Sequence, residues 1–204
     1  MKNENNTKKK ILDTALDLFS KRGYSAVSIR DIGKIVGIKE STIYYHFKNK
    51  QDIFDSLLLK VEEITNHMEI LFNNRFKEIT RVEKEEFVKV AHGVLEGYLL
   101  DNYILKIICM LRIEQCINEE AAKLYRKILF DEPLKQNETV FQMMMDKEYF
   151  KQDSSKRLAV EYYGVIYFIF DRYFSNGQVI SKTKELAKSE LTIHISRFYD
   201  MYSI

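Results

Sequence analysis

The sequence predicts an all-α chain, and three observations carry that expectation. Its 204 residues hold only one proline and seven glycines, too few breakers for a fold of many short strands and turns. Apolar residues recur at three- and four-residue spacing along most of the chain, beginning with Ile11, Leu12, Ala15, Leu16 and Phe19. Hydrophobic residues make up 46% of the composition, enough to bury the core of one large domain or two small ones.

The first helix is expected behind a frayed polar segment, 1–6. Asn6 or Thr7 supplies its cap and Gly23 its stop. Ser28 followed by Asp31 is a variant of the capping box and opens a second helix, with Ile29, Ile32, Ile35 and Val36 as its buried stripe. Gly37 falls at the end of that helix, where a sharp turn calls for positive φ, and Ile38 ties the turn into the core. A third, short helix runs from about Lys39 to Phe47. Ile43 and Phe47 lie four apart and face inward together. Glu40, Ser41, Thr42, Tyr44, Tyr45 and His46 are left wholly or partly outward, although Tyr44 also has a reading as part of the core beside Ile43.

Asn49 and Asp52 can cap a long helix carrying Ile53, Phe54, Leu57, Leu58, Val61 and Ile64 to about residue 78. A charged stretch, Arg81–Glu86, predicts a connection. Helical patterns follow at about 84–100, 102–116, 119–146, 154–175 and 182–203. Pro133 should break or kink the third of these and Gly177 should end the fourth. The expected division is a domain over 1–50 and another over 51–204, joined by the long helix.

Charge is distributed unevenly. Residues 1–50 hold eleven Lys/Arg against five Asp/Glu, a balance of +6, which leaves 21 against 25, or −4, for the remainder. A basic N-terminal quarter on a mildly acidic body fits a nucleic-acid-facing module, or simply a solvated basic face. Cys109 and Cys116 form no disulfide framework and point to a reducing cytoplasm. No signal peptide is visible. The most apolar run, Val160–Phe170, is broken by Glu161 and falls short of the ~20 residues of a membrane span. No nucleophile elbow, phosphate loop, zinc signature or metalloprotease motif is present, so no enzyme is expected. His67, His92 and His194 stand without partners at metal-ligand spacing, so neither a metal nor another cofactor is expected.

Two short helices joined by a glycine-containing turn make a helix-turn-helix, whose second helix fits the major groove of DNA. The outward set of hydroxyls, an imidazole and two phenols can bond phosphates or touch thymine methyls. A merely solvated face would more simply carry Lys and Glu there. Lys50, beside the backbone N–H groups opening the next helix, forms a ready phosphate clamp.

Residues 8–54 resemble the DNA-binding domain of the TetR family of bacterial repressors. The resemblance rests on Ile11–Phe19 with Gly23 and Tyr24, on Ser28–Ile32, on Val36–Ile38 and on the run from Ser41 through Tyr44, Tyr45, His46 and Phe47 to Phe54. Gly33 and Val36 depart from it, since the family usually has alanine at both. The resemblance implies backbone contacts from Ser28 and Arg30 and base-edge contacts from Glu40, Ser41 and Thr42. It places Tyr44, Tyr45 and His46 on phosphates or thymine methyls and Lys50 on a phosphate.

For the body, the resemblance implies a C-terminal helical domain that binds a small-molecule effector and dimerises through its last two long helices, at about 154–175 and 182–203. Tyr98, Tyr103, Cys109, Met110, Met144 and Tyr167, with Cys116, Met143 and Met145 near them in sequence, could line an adaptable pocket. Any one of them reads more readily as ordinary core. The expected function is a dimeric repressor of a palindromic double-stranded operator, with half-sites about one turn, ~34–36 Å, apart. A DNA scaffolding protein of the same fold without an effector is the alternative.

Overall fold

The computed structural model describes residues 2–77 and 83–204, and the side chains of these apart from 2–5, 62 and 65–77. The described chain is helical and contains no strand, only an isolated antiparallel bridge between Phe150 and Ser203. The helices are α1 (Lys2–Arg22), α2 (Ile29–Val36), α3 (Glu40–His46), α4 (Lys50–Lys77), α5 (Lys84–Gly93), α6 (Asn102–Glu114), α7 (Glu119–Arg126), α8 (Glu132–Asp146), α9 (Ser155–Phe174) and α10 (Ser181–Tyr202). The chain forms two compact units, one of Met1–Glu69 with Asn102–Tyr125, the other of Ile70–Asp101 with Arg126–Ile204.

In the first unit, the stripe Ile11, Ala15, Leu16 and Phe19 of α1 is buried, as are Ile32, Ile43, Phe47, Ile53 and Leu57 from the next three helices. Helix α6 packs along α1 and buries Ile104, Ile107, Ile108 and Leu111. Lys106 and Asp17 pair across them at 2.6 Å. Helix α1 starts at Lys2, so Asn6 and Thr7 lie within it rather than ahead of its first turn. No proline or glycine occurs from 2 to 22, and Lys and Leu are good helix formers, so the packed stripe propagates a helix back through the polar start. In α2, Ile29 and Ile32 are buried but Ile35 is 62% exposed. At 100° per residue, Ile35 points about 120° away from the direction shared by Ile29, Ile32 and Gly33. The expected four-residue stripe is too wide for a two-turn helix. Helix α6 ends at Glu114, so Cys116 lies beyond the helix that carries Cys109; both cysteines are free.

In the second unit, α8 packs on α9, and α10 packs on α5 and α9. Its core is aromatic. The Phe87 ring lies 5.1 Å from Tyr162 and stacks on Phe198 at 6.0 Å, while Phe141 lies 5.9 Å from Phe150. His92 Nε2 lies 2.9 Å from Thr192 Oγ1. Pro133 sits at the start of α8, directly after a π-helical turn, Lys127–Asp131. Proline lacks an N–H and its ring crowds the carbonyl four residues back, so the helix widens there instead of breaking. A second π-turn, Val94–Leu99, continues α5. Arg81, in the expected charged connection, and the His67 side chain lie outside the described residues.

Candidate nucleic-acid interface

The candidate interface is the α2–turn–α3 segment with its approaches. Ser28 caps α2: its Oγ accepts from the Asp31 N–H at 3.1 Å, and Asp31 Oδ2 accepts from the Ser28 N–H at 2.9 Å. The Ser28 N–H and, at 2.7 Å, the Ser28 hydroxyl both donate to that carboxylate and, with Arg22 3.7 Å away, hold the Asp31 carboxyl below the usual carboxylate range. The helix ends at Gly37, in the left-handed region at φ 78°, and the N–H groups of Gly37 and Ile38 both donate to the Gly33 carbonyl. Gly33 is where the turn comes closest. A Cβ there would meet the Ile38 carbonyl oxygen at 2.9 Å, so this turn packs where the resembled family carries a methyl group.

Helix α3 is held from beneath by Ile43 and Phe47, both buried. Its other side faces out: Tyr44 is 52% and Tyr45 72% exposed, Glu40 and Ser41 are exposed, and Thr42 and His46 are half-buried. Tyr44 therefore stands outward rather than in the core. The Tyr45 and His46 rings meet edge to face at 5.1 Å. Ser28 and Arg30 are exposed at the start of α2. Asn49 caps α4 by accepting from the Asp52 N–H at 2.9 Å, while Asp52 accepts from the Lys48 N–H at the same distance. Ser28, Arg30, Glu40, Tyr44 and Lys50 line one cleft of about 560 Å³ with Ser25, Ala26, Val27 and Ile29. Ser41, Thr42, Tyr45 and His46 lie outside that lining.

Lys50 departs from the geometry expected of a phosphate clamp. Its Nζ donates to the carbonyls of Tyr24 and Val27, each at 2.9 Å, and sits 4.2 Å from the centre of the Tyr24 ring. Burial pushes its pKa down, while the Glu114 carboxylate acts in the opposite sense. The ammonium is already engaged by the turn between α1 and α2.

Glu114 escapes sequence reasoning altogether. It is one of two buried polar residues among those described, 3% exposed, and binds Ser25 through both carboxylate oxygens. One signal was available: Glu114 falls on the face of α6 that carries Ile107 and Leu111, where a lone carboxylate is costly unless paired.

The six residues expected to line an effector pocket are divided between the two units. Tyr103, Cys109 and Met110 belong to the first, and Tyr98, Met144 and Tyr167 to the second. Met110 and Met144 are completely buried. The Tyr103 hydroxyl donates to the Leu57 carbonyl at 2.9 Å, under the Lys60 ammonium. Tyr167 packs edge-on against Phe130 at 4.7 Å. Burial pushes the Cys109 thiol up, away from the reactive thiolate. Among the described residues no group of three or more His, Cys, Asp and Glu side chains could hold a metal ion, and no helix is long and apolar enough to cross a membrane.

These features define a helix-turn-helix protein whose second helix presents an exposed polar and aromatic face. Residues 11–57 match the N-terminal model of the family of bacterial regulatory proteins named for TetR. The chain is 47% identical over 47 residues, 23% of its own length and 25% of the other, to IcaR of Staphylococcus epidermidis, a negative transcriptional regulator of the biofilm operon. The curated relatives compared are matched over only 25–37% of their length. Over the whole chain the fold is shared with a crystal structure from Mesorhizobium loti assigned to the TetR family, at TM-score 0.75, 16% identity and 98% coverage of both chains. It is also shared with SmeT in complex with triclosan, at TM-score 0.66 and 15% identity, covering 98% of this chain and 92% of that one.

Proposed function

We propose that this chain is a DNA-binding transcriptional repressor that reads a palindromic operator as a homodimer and is released by a small-molecule effector in the bacterial cytoplasm. One observation carries the proposal. Within the stretch matched to the TetR family, α3 buries Ile43 and Phe47 and leaves Ser41, Tyr44 and Tyr45 facing outward. Such a helix enters the major groove with its N-terminal residues at base edges and its flanks on phosphates. Glu40, Ser41 and Thr42 take the base-proximal role, with Glu40 accepting from a cytosine amino group. Ser28, Arg30, Tyr44, Tyr45 and His46 take the backbone and thymine-methyl contacts. The negative sense is supported by the likeness to IcaR, and effector release by the fold shared with triclosan-bound SmeT. No catalytic step enters this reading.

Dimerisation through α9 and α10 is supported by their outer faces. Val160 and Phe168 of α9, with the exposed Gly164 between them, and Leu186, Ile193 and Met201 of α10 are all exposed. The contact of Glu161 with Tyr202 and that of Arg172 with Glu190 make the two helices antiparallel. Phe168 is therefore level with Ile193, and Val160 with Met201. Exposed apolar stripes on paired helices are the usual surface of a two-fold four-helix interface.

Selection of the purified chain against randomised duplex DNA, at fixed near-physiological salt, tests the reading. Recovery of a two-fold palindrome is the expected result. Weak, salt-sensitive binding with no motif would overturn it in favour of a scaffolding role.

A further inference from the structure

The segment between α1 and α2, residues 23–28, has one turn bond of its own, from the Val27 N–H to the Tyr24 carbonyl, and five of its backbone groups are held by side chains. Lys50 of α4 takes the Tyr24 and Val27 carbonyls. Arg22 donates to the Ala26 carbonyl at 2.9 Å, and Asp31 accepts the Ser28 N–H. The Ser25 N–H and hydroxyl go to Glu114, at 2.9 Å to Oε1 and 2.6 Å to Oε2. Glu114 thus acts on this turn from 89 residues away in sequence. The turn accommodates it only because residue 23 is glycine: at φ 80°, a Cβ there would lie 2.4 Å from Glu114 Oε1. The turn runs directly into Ser28, the cap of α2, so its placement sets the start of the helix that carries the exposed Arg30 and borders the cleft with Glu40 and Tyr44.

We infer that Glu114 is a positioning residue for DNA binding: its carboxylate holds the α1–α2 turn, and through it the N-terminus of α2, in the register the duplex requires. The inference rests on the operator-binding reading above. It adds that the end of α6 is part of the machinery without touching DNA. A buried carboxylate with two bonds to one residue is a costly way to gain stability and an effective way to specify one conformation. Lys50 brings the opposite charge to the same turn, at the Tyr24 and Val27 carbonyls. The two act as a clamp on the protein's own backbone.

The test uses the full chain as Glu114→Ala and, as a variant that leaves no buried hole, Ser25→Ala. Hydrogen exchange of the segment 23–31 is followed without DNA. Affinity for the selected palindrome is measured across a salt series, at a temperature where circular dichroism shows every variant folded. Faster exchange confined to 23–31 is expected, with affinity lower by about tenfold, the scale of one lost hydrogen bond to a charged group. The slope of log K against log salt should stay at the parent value, because no phosphate contact is removed. Parent-like exchange in 23–31 together with parent-like affinity would overturn the inference, as would a lowered melting temperature with affinity unchanged. If the parent itself selects no motif, the operator reading fails, and the exchange measurement alone decides whether Glu114 holds the turn.

Discussion

The exposed phenylalanine of α9 allows the proposed assembly to be tested with a number. Phe168 is 59% exposed. A phenylalanine buries roughly 150–250 Å² when fully covered, so a partner surface could still take roughly 90–150 Å² of it. At about 25 cal/mol per Å² that is roughly 2–4 kcal/mol per copy. A two-fold interface uses the residue twice. Phe168→Ala should therefore cost the dimer roughly 3–6 kcal/mol, allowing for the methyl that alanine keeps. The dissociation constant should rise about 10²- to 10⁴-fold. Sedimentation velocity over a dilution series from micromolar to nanomolar reads this directly. Ile35→Ala, an equally exposed apolar residue on the other unit, should leave the assembly unaltered. A monomeric parent at micromolar concentration, or a Phe168→Ala dimer with unchanged dissociation constant, would refute the assignment of this face.

Three further outcomes are expected. Gly37→Ala places an L side chain at φ 78° in open space, so it should cost about 1–2 kcal/mol of conformational strain and lower the melting temperature by about 2–4 °C for each of those kcal/mol. Gly37→Asn should lose less, and an alanine variant as stable as the parent would show that the turn relaxes. Asp31 has a depressed folded-state pKa, so its capping contribution is present above the unfolded value and lost as pH falls through the folded one. The urea midpoints of parent and Asp31→Asn should accordingly differ by a constant amount from neutral pH down to about pH 4 and converge below it; convergence on the alkaline side would contradict the cap. Lys50→Ala should weaken operator binding without changing the salt slope, because its ammonium serves two loop carbonyls. A slope reduced by about one would show instead that it reaches a phosphate.

What could be read from the sequence followed the range of the interactions involved. Ser28 with Asp31, Gly37, Ile43 with Phe47, and Asn49 with Asp52 all act across three or four residues or within one turn, and the structure has them as expected. Pro133 acts on the helix that contains it, and the outcome there was a π-turn rather than a break. Ile35 failed because an apolar pattern over two turns cannot say how wide the buried arc is. The bonds of Lys50 were not legible because its partners, Tyr24 and Val27, lie 26 and 23 residues upstream. At sequence level a lysine beside a helix start looks the same whether a phosphate or a carbonyl waits for it. Glu114 and Ser25 meet only after α6 has been laid along α1, and no local rule announces that pairing.

That last packing bears on how freely this module could be transplanted. The unit that contains the helix-turn-helix is assembled from two separate stretches, up to Glu69 and from Asn102 to Tyr125. A fragment ending at residue 50 would strip α6 from α1, uncover Ile11, Ala15 and Phe19 wherever α6 shields them, and release Ser25 from its acceptor. A chimera that grafts this helix-turn-helix onto another body must carry the second stretch as well, or supply a helix with a carboxylate at the same place. By the same logic, changes in α6 can shift the α1–α2 turn without altering a single residue of α2 or α3.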